Sequence, residues 1–296
     1  NYFNRLKVGG IALSFLFIAL FTQCNNSEHS TQEAVSTDTA SVRVSDNWKL
    51  GVQLWTFRLF TFVQALDKVD SAGIKYIEAF WGQPLGGDMK DSFGIRMSAE
   101  SRTKLKNLLK EKGITMVAMG VISPGTKEEW HQAFELAKDF GLRYIAAEPH
   151  KDQWDLVDSL AGAYGIKIAI HDHPRPNAYW HPDSVLAAIN GHSNIGACAD
   201  IGHWARNGLN PVECLKKLSG HVYGVHLKDI KVFNQTDAAD TTVGRGVINF
   251  SPIFTELAHQ QFSGMFSIEH ESNWLHSLPD VIETRGFYQK QVDSLQ

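Results

Sequence analysis

Carboxylates, imidazoles and one lysine recur along this 296-residue chain at the ends of short apolar segments. These positions are Glu78, Glu148, His171, Asp172, His173, Asp200, His203, His226, Lys228, Asp229, Glu269, His270 and Glu271. Such side chains bind divalent cations through oxygen and nitrogen, and they exchange protons in acid–base catalysis. A charged group is costly to bury unless it has a partner. The pattern therefore predicts a shared polar site rather than scattered surface charge.

Eight apolar segments rich in β-branched residues alternate with helical segments from residue 50 onward. The candidate strands are 50–57, 76–80, 115–121, 144–149, 167–173, 195–203, 222–230 and 264–271. In the helical segment 126–141, an apolar stripe recurs at the helical period. Its members are Trp130, Phe134, Ala137 and Phe140. Glycines that favour a helix end precede the next strand at four places, Gly73, Gly113, Gly141 and Gly165.

This alternation predicts a parallel sheet with helical crossovers. The count of eight and a folded length of about 245 residues favour closure into a (β/α)8 TIM barrel. An open doubly wound sheet is the alternative, but no glycine-rich phosphate-binding sequence follows the first strand. We therefore expect one α/β domain, a single TIM barrel over residues 48–296, with its site at the carboxyl ends of the strands.

Four of the polar side chains follow strands four, six, seven and eight, and they are Glu148, Asp200, His226 and Glu269. Because barrel strands end in a ring, these four side chains can point at one position. Three carboxylates and one imidazole suit one divalent metal ion, Mn²⁺, Co²⁺ or Mg²⁺, and Zn²⁺ also fits. Since the set lacks thiolates, a structural zinc site is not expected.

Short sequence pieces carry a resemblance that covers residues 50–290. They are A-A-E-P at 146–149, D-I-G-H at 200–203, H-L-K-D at 226–229 and I-E at 268–269. In this order the pieces resemble the xylose-isomerase-like TIM barrel superfamily of sugar isomerases and epimerases, inosose dehydratases and endonuclease IV. The resemblance implies that Glu148, Asp200, His226 and Glu269 are the metal ligands. It also implies that His203 touches a substrate hydroxyl and that His171 contacts the substrate or supports a ligand.

The expected chemistry starts with a divalent ion that holds a carbonyl and a neighbouring hydroxyl oxygen, which eases removal of the carbon-bound proton between them. Glu148 and Glu269 are the expected catalytic pair, one taking the proton and the other returning one from the opposite face. We expect a sugar isomerase or epimerase that acts through an enediolate.

Three other functions stay open at this point. The first alternative is a 3-keto-glycoside lyase or hydrolase-type enzyme, for which His171, His173 and Lys228 offer additional acid–base groups. An endonuclease IV-like nuclease and a non-catalytic sugar-binding barrel are less favoured. The net charge of −4, from 28 basic and 32 acidic residues, argues against nucleic-acid binding. A binding barrel has no need of two opposed carboxylates.

Substrate contacts are predicted among the remaining strand-end groups. They are Glu78, His171, His203, Lys228, Trp55, Trp204 and Trp274, and the three tryptophans could stack on a sugar ring. We therefore expect a small carbohydrate as the partner and no nucleic acid. Cys198 and Cys214 are expected as two buried thiols.

The first residues resemble the signal of a bacterial lipoprotein. Arg5 and Lys7 precede an apolar run over 8–22 that is short for a membrane span, and the run stops at Cys24. We expect a signal peptide over 1–24 with Cys24 lipidated, then a flexible polar linker over 25–47. The protein would then be exported, either periplasmic or anchored to the outer membrane by its lipid. A plain secretory signal and an uncleaved anchor are the alternatives.

Overall fold

Eight parallel strands form a closed barrel in the computed structural model, which describes residues 44–295. The barrel strands are β1 Lys49–Gln53, β2 Tyr76–Phe80, β3 Thr115–Ile122, β4 Tyr144–Ala147, β5 Lys167–His171, β6 Ile195–Asp200, β7 Val222–Leu227 and β8 Met265–Ile268. Neighbouring strands pair in chain order, and β1 closes the ring by pairing with both β2 and β8. The predicted single (β/α)8 barrel is confirmed.

Helices follow the barrel strands and cover the outside of the ring. They are α1 Phe62–Ser71, α2 Ala99–Lys112, α3 Lys127–Asp139, α4 Trp154–Tyr164, α5 Pro182–Ile189, α6 Ile201–Arg206, α7 Pro211–Lys217, α8 Ser251–His259 and α9 Leu278–Ser294. The start of α3 is fixed by a capping box in which Thr126 and Glu129 satisfy each other's backbone N–H groups. Gly113 and Gly165 end α2 and α4 in the left-handed conformation, as the sequence predicts.

The core lies between the barrel and its helices. Trp130 and Phe134 of the predicted α3 stripe are fully buried there, and Phe254 stacks on Phe266 with ring centroids 5.2 Å apart. Cys198 and Cys214 are buried free thiols, as expected. This packed layer fixes the strands, and thereby the strand ends, in one geometry.

Six of the predicted strands end two or more residues earlier than expected, and the changes in β1 and β6 matter most for the site. β1 ends at Gln53, and Leu54–Phe57 form a 3₁₀ turn. β6 ends at Asp200, whose side chain accepts a hydrogen bond from His203 N at 2.9 Å and so begins α6. A carboxylate that caps a helix stops the strand, because the next N–H groups turn toward it.

A hairpin between β2 and α2 was not predicted from the sequence. Its two short strands are Pro84–Gly86 and Met89–Ser92, which pair antiparallel. The strands have three and four residues, too few to produce a recognisable alternation of apolar and polar side chains. The hairpin adds a wall beside the mouth of the barrel.

The predicted signal peptide, with Cys24, lies outside the described residues. Only the end of the predicted linker is described, and Val44–Asn47 form a 3₁₀ turn there, with Ser45 buried. Trp48 follows and donates its indole N–H to Phe262 O at 2.6 Å. Within residues 44–295, no helix combines the length and hydropathy needed to cross a membrane.

Candidate metal centre

Four side chains from successive barrel strands meet at the carboxyl end of the barrel. They are His171 at the end of β5, Asp200 at the end of β6, His226 in β7 and Glu269 directly after β8. One nitrogen or oxygen atom of each lies within 4.8 Å of those of the others, and all four residues are buried. Buried nitrogen and oxygen donors of these types, converging in this way, form a candidate site for a divalent metal ion.

The atoms of this group face one another closely. His226 Nδ1 lies 3.1 Å from Glu269 Oε2 and 3.2 Å from His171 Nε2. Asp200 Oδ2 lies 3.5 Å from His171 Nε2 and 3.8 Å from His226 Nδ1. That oxygen is buried and accepts no well-directed hydrogen bond from residues 44–295. A buried carboxylate oxygen without a directed partner fits the position of a metal ligand, since such groups are otherwise satisfied.

Lys228 is the nearest cation and is fully buried. Its Nζ lies 3.0 Å from Asp200 Oδ2, without the direction of a hydrogen bond, and 2.9 Å from Glu269 Oε2. Burial lowers the pKa of Lys228, but the surrounding carboxylates outweigh burial and raise it well above its usual value. Burial likewise raises the pKa of Glu269, while Lys228 and His226 outweigh it and lower the pKa to about 2. The structure therefore gives Lys228 carboxylate partners and no exposed surface, which differs from its predicted role in substrate binding.

Glu148, one of the four predicted ligands, forms a second group with His171 and His173. Its Oε1 is hydrogen-bonded to His173 Nδ1 and lies 3.7 Å from His171 Nδ1, while its Oε2 accepts from Asn177 Nδ2 at 2.8 Å. Burial raises the pKa of Glu148, but the hydrogen bond with His173 and the nearby His171 ring hold it well below its usual value. The His171 ring thus lies between Glu148 and Asp200. Glu148 as a metal ligand stays a prediction, and His171 occupies the fourth place in this arrangement.

Glu78 lies inside the barrel rather than at its mouth, where the sequence prediction placed it. Its side chain is fully buried, and its Oε2 lies 3.1 Å from His226 Nε2 and 2.9 Å from Ser267 Oγ. Its Oε1 accepts a hydrogen bond from Gln53 Nε2 at 2.9 Å. The predicted contact between Glu78 and substrate is therefore corrected: the period of two along β2 turns this side chain into the barrel, beneath His226.

His203 is buried beside the group on α6. Its Nε2 lies 3.0 Å from Lys228 Nζ and 3.5 Å from Asp200 Oδ2. Burial and Lys228 hold the pKa of His203 well below its usual value, against the attraction of Asp200. Its other nitrogen, Nδ1, lies 3.1 Å from Arg206 Nη1. Arg206 was missed in the sequence, although a spacing of three residues on a helix places it on the same face as His203.

A central cavity of about 200 Å³ is lined by Glu269, one of the group of four, and by His173. Trp55 lines it and donates its indole N–H to Glu271 Oε1 at 2.9 Å. Trp274 stands edge-on to Trp55 with ring centroids 6.2 Å apart. Both tryptophans thus lie at the mouth, and their contact with a substrate stays a prediction. Trp204 does not lie at the mouth, because its side chain is only 1% exposed and belongs to the hydrophobic core.

The family described as a xylose isomerase-like TIM barrel matches residues 66–291. This chain belongs to that family. A curated relative in Clostridium botulinum (strain Alaska E43 / Type E3), named inosose dehydratase, is 31% identical over 146 residues. The match covers 42% of this chain and 49% of the relative, so the chain spans about half the length of the curated relatives it matches.

Solved structures of the same fold align with a larger share of this chain than the curated relatives do. A protein from Parabacteroides distasonis ATCC 8503 is 36% identical with a TM-score of 0.67, over 82% of this chain and 99% of the other. The IOLI protein, solved with a zinc atom, is 20% identical with a TM-score of 0.68, over 83% and 98%. An L-ribulose 3-epimerase is 17% identical with a TM-score of 0.63, over 83% and 95%. The last two similarities concern the fold alone.

Proposed function

We propose that this protein is a metal-dependent lyase that acts on a sugar-derived ketone. It removes the proton on the carbon next to the carbonyl, a carbon–carbon double bond forms, and the carbon–oxygen bond to a leaving group on the next carbon breaks. The observation that carries the proposal is the hydrogen-bonded pair of Glu148 and His173, which stands beside a convergent group of four metal-ligating side chains. Relatives named inosose dehydratase support the same class of reaction.

The residues that would hold the ion are His171, Asp200, His226 and Glu269. They fit a divalent cation because their donor atoms lie within 4.8 Å of one another and because Asp200 Oδ2 lacks a directed partner among residues 44–295. When bound, such an ion polarises the carbonyl oxygen and stabilises the negative charge that develops there after proton loss. Nitrogen and oxygen ligands suit Mn²⁺, Co²⁺ and Zn²⁺, and the IOLI protein with its zinc is consistent with this choice.

Glu148 and His173 carry out the proton transfers in this reaction. Glu148 accepts from Asn177 through Oε2, and its Oε1, which is hydrogen-bonded to His173, is the atom that would take the substrate proton. His173 is 42% exposed and lines the central cavity, so it can give its proton to the leaving oxygen and recover one from solvent. The base Glu148 and the acid His173 are adjacent and share a hydrogen bond, so both act on the same face of the substrate. Proton removal and protonation of the leaving group on one face suit elimination.

Epimerisation or isomerisation is the second candidate. Glu148 and Glu269 follow β4 and β8, which lie opposite each other in the ring of eight strands, so the two carboxylates could serve opposite faces of a sugar. This arrangement supports the two-carboxylate reaction predicted from the sequence. Glu269, however, contacts Lys228 Nζ at 2.9 Å and His226 Nδ1 at 3.1 Å. Two such partners stabilise its ionised form, which makes it a poor proton donor, and we rank elimination first for this reason.

The test uses the purified protein stripped with EDTA and reloaded with Mn²⁺, Co²⁺ or Zn²⁺. It is incubated in D₂O with an inosose, a 3-keto-glycoside and free ketoses. The lyase proposal expects an unsaturated ketone, followed by its ultraviolet absorbance, together with release of water or the alcohol. Deuterium in recovered, otherwise intact sugar would favour the epimerase instead. Neither product with any metal would overturn both candidates.

We also propose that the chain is exported and anchored through a lipid on Cys24, on the basis of its first 24 residues. Incorporation of labelled palmitate that is lost in Cys24→Ala supports this proposal. Unlabelled protein in the cytoplasmic fraction contradicts it.

A further inference from the structure

A second and larger space, which we call the outer cavity, lies beside the central cavity. It has a volume of about 450 Å³ and lies between the hairpin region 81–96 and the segment 121–125 that ends and follows β3. Val121 lines both the outer and the central cavity. Ser123 lines the outer cavity and also the space next to Glu148. The outer cavity therefore shares lining residues with the spaces that Glu269 and Glu148 line.

The central cavity, at about 200 Å³, is small for a ligand pocket, since such pockets usually measure about 300–1,000 Å³. It has room for one sugar ring held at the metal. The outer cavity, at about 450 Å³, is more than twice as large and shares Val121 with the central cavity. A substrate with two rings would fill both.

One wall of the outer cavity is aromatic. Trp81 directly follows β2, is partly buried and packs against the core. Gly94 faces it, and a Cβ atom at this position would lie 3.5 Å from the six-membered ring of the indole. Trp81 and Gly94 both line the outer cavity, and the missing side chain of Gly94 avoids filling the space next to the indole. A flat apolar surface of this kind binds the hydrophobic face of a sugar ring or an aromatic ring.

Arg96, an exposed residue that lines the same cavity, adds a positive charge and hydrogen-bond donors to the aromatic wall. Its guanidinium has no hydrogen bond or ion pair with any other residue in the part of the chain that the structure describes. The carboxylate that lines the cavity, Glu129, is already engaged, because it accepts hydrogen bonds from Gly125 N at 3.0 Å and Thr126 N at 3.1 Å. The donors of Arg96 are thus free for oxygen acceptors of a ligand.

We propose that the outer cavity binds the second ring of a glycosidic substrate, stacked on Trp81 with its hydroxyl or carboxylate oxygens toward Arg96. This inference rests on the proposed lyase function, since it assigns the leaving group of that reaction to a sugar or other ring alcohol. The ketone ring then occupies the central cavity, and the bond that breaks lies near Val121, where the two cavities meet.

The kinetic test compares a 3-keto-disaccharide with the matching methyl 3-keto-glycoside, which lacks the second ring. Arg96→Ala and Trp81→Ala are expected to lower kcat/KM for the two-ring substrate about tenfold and to change it less than twofold for the methyl glycoside. Trp81→Phe should recover most of the loss because a ring surface is restored. Lys90→Ala, which removes an exposed charge from the same hairpin outside the cavity, is the matched control and should affect neither substrate. Equal losses on both substrates would overturn the proposal.

A binding test separates this inference from the proposed function. A non-reactive disaccharide is titrated into metal-free protein and followed by calorimetry and by tryptophan fluorescence. Binding to the wild type that weakens about tenfold in Arg96→Ala and Trp81→Ala supports the outer subsite even if no substrate is turned over. If the protein turns over keto-sugars but all variants bind the disaccharide equally well, the lyase function stands and the proposed subsite is refuted.

Discussion

His226 Nε2 lies 3.1 Å from Glu78 Oε2, on the side of the imidazole that faces away from Glu269. In the metal-bound protein, a hydrogen on Nε2 would face Glu78, and Nδ1, which faces Glu269 and Asp200, would be the atom available to the metal. Ser267 and Gln53 hold Glu78 in place with hydrogen bonds of 2.9 Å each. A buried carboxylate of this kind orients a histidine ligand and makes it a stronger donor.

Replacing this carboxylate is therefore expected to weaken metal binding without touching the substrate. Glu78→Gln should lower metal affinity by about 10–100-fold, the usual effect of losing such a partner. Competition with a fluorescent chelator measures the change. Tyr144→Phe is the matched control, since its hydroxyl lies 3.5 Å from the same Oε2 and is a weak partner. Unchanged affinity in Glu78→Gln would contradict the orienting role.

Paired variants can show which of Glu148 and His171 binds the metal. Glu148→Gln should keep metal affinity within about threefold and lower turnover by about 10²–10⁴-fold, the range for loss of a general base. His171→Gln should instead lose metal affinity, because its Nε2 lies 3.5 Å from Asp200 Oδ2 and 3.2 Å from His226 Nδ1. Elemental analysis of both variants provides the measurement. If Glu148→Gln also loses the metal, Glu148 is a ligand, as the family resemblance implies.

Lys228 should stabilise the metal-free protein more than the metal-loaded protein. Its ammonium lies within 3.0 Å of two buried carboxylates, and removing one partner of a buried ion pair costs about 3–5 kcal/mol. Lys228→Met is therefore expected to lower Tm strongly in EDTA and less after metal is added, because the cation then neutralises Asp200 and Glu269. Calorimetric Tm values with and without metal test this. Lys216→Met, which breaks an exposed pair with Glu213, should change either Tm little. Equal losses of Tm with and without metal would contradict the prediction.

Metal affinity should rise with pH. Burial lowers the pKa of His171, but the nearby carboxylates of Asp200 and Glu148 outweigh burial and raise it to about 9 from an ordinary value of 6.5. The protonated ring stabilises the metal-free fold fully below pH 6.5, and this contribution is lost as pH rises through about 9. A metal must displace that proton, so affinity increases from pH 6 and levels off above about 9.

Calorimetry in buffers of different ionisation enthalpy counts the protons released on metal binding. The wild type is expected to release more protons at pH 7 than at pH 10, and His171→Gln fewer than the wild type at pH 7. Affinity that does not change between pH 6 and pH 9 would contradict displacement of these protons.

Much of the fold could be read from local patterns. The stripe of Trp130 and Phe134 predicts α3, and Gly113 and Gly165 predict helix ends, because both signals depend on neighbours within a few residues. The short hairpin at 84–92 gave no such signal. Trp204 could not be assigned to the core from sequence, because a tryptophan just after a strand can turn toward the mouth or under α6 with the same spacing.

By itself, the sequence determined the eightfold alternation and the presence of acid, base and ligand groups at the strand ends. Parallel strands of a closed barrel bring those ends to one rim whatever their distance along the chain. Only the tertiary structure decided the individual partners: His171 beside Asp200, Glu148 paired with His173, Glu78 beneath His226, and Lys228 between two carboxylates. Those choices depend on side-chain rotamers and on where each strand stops, which are fixed by packing across the barrel and not by spacing along the chain.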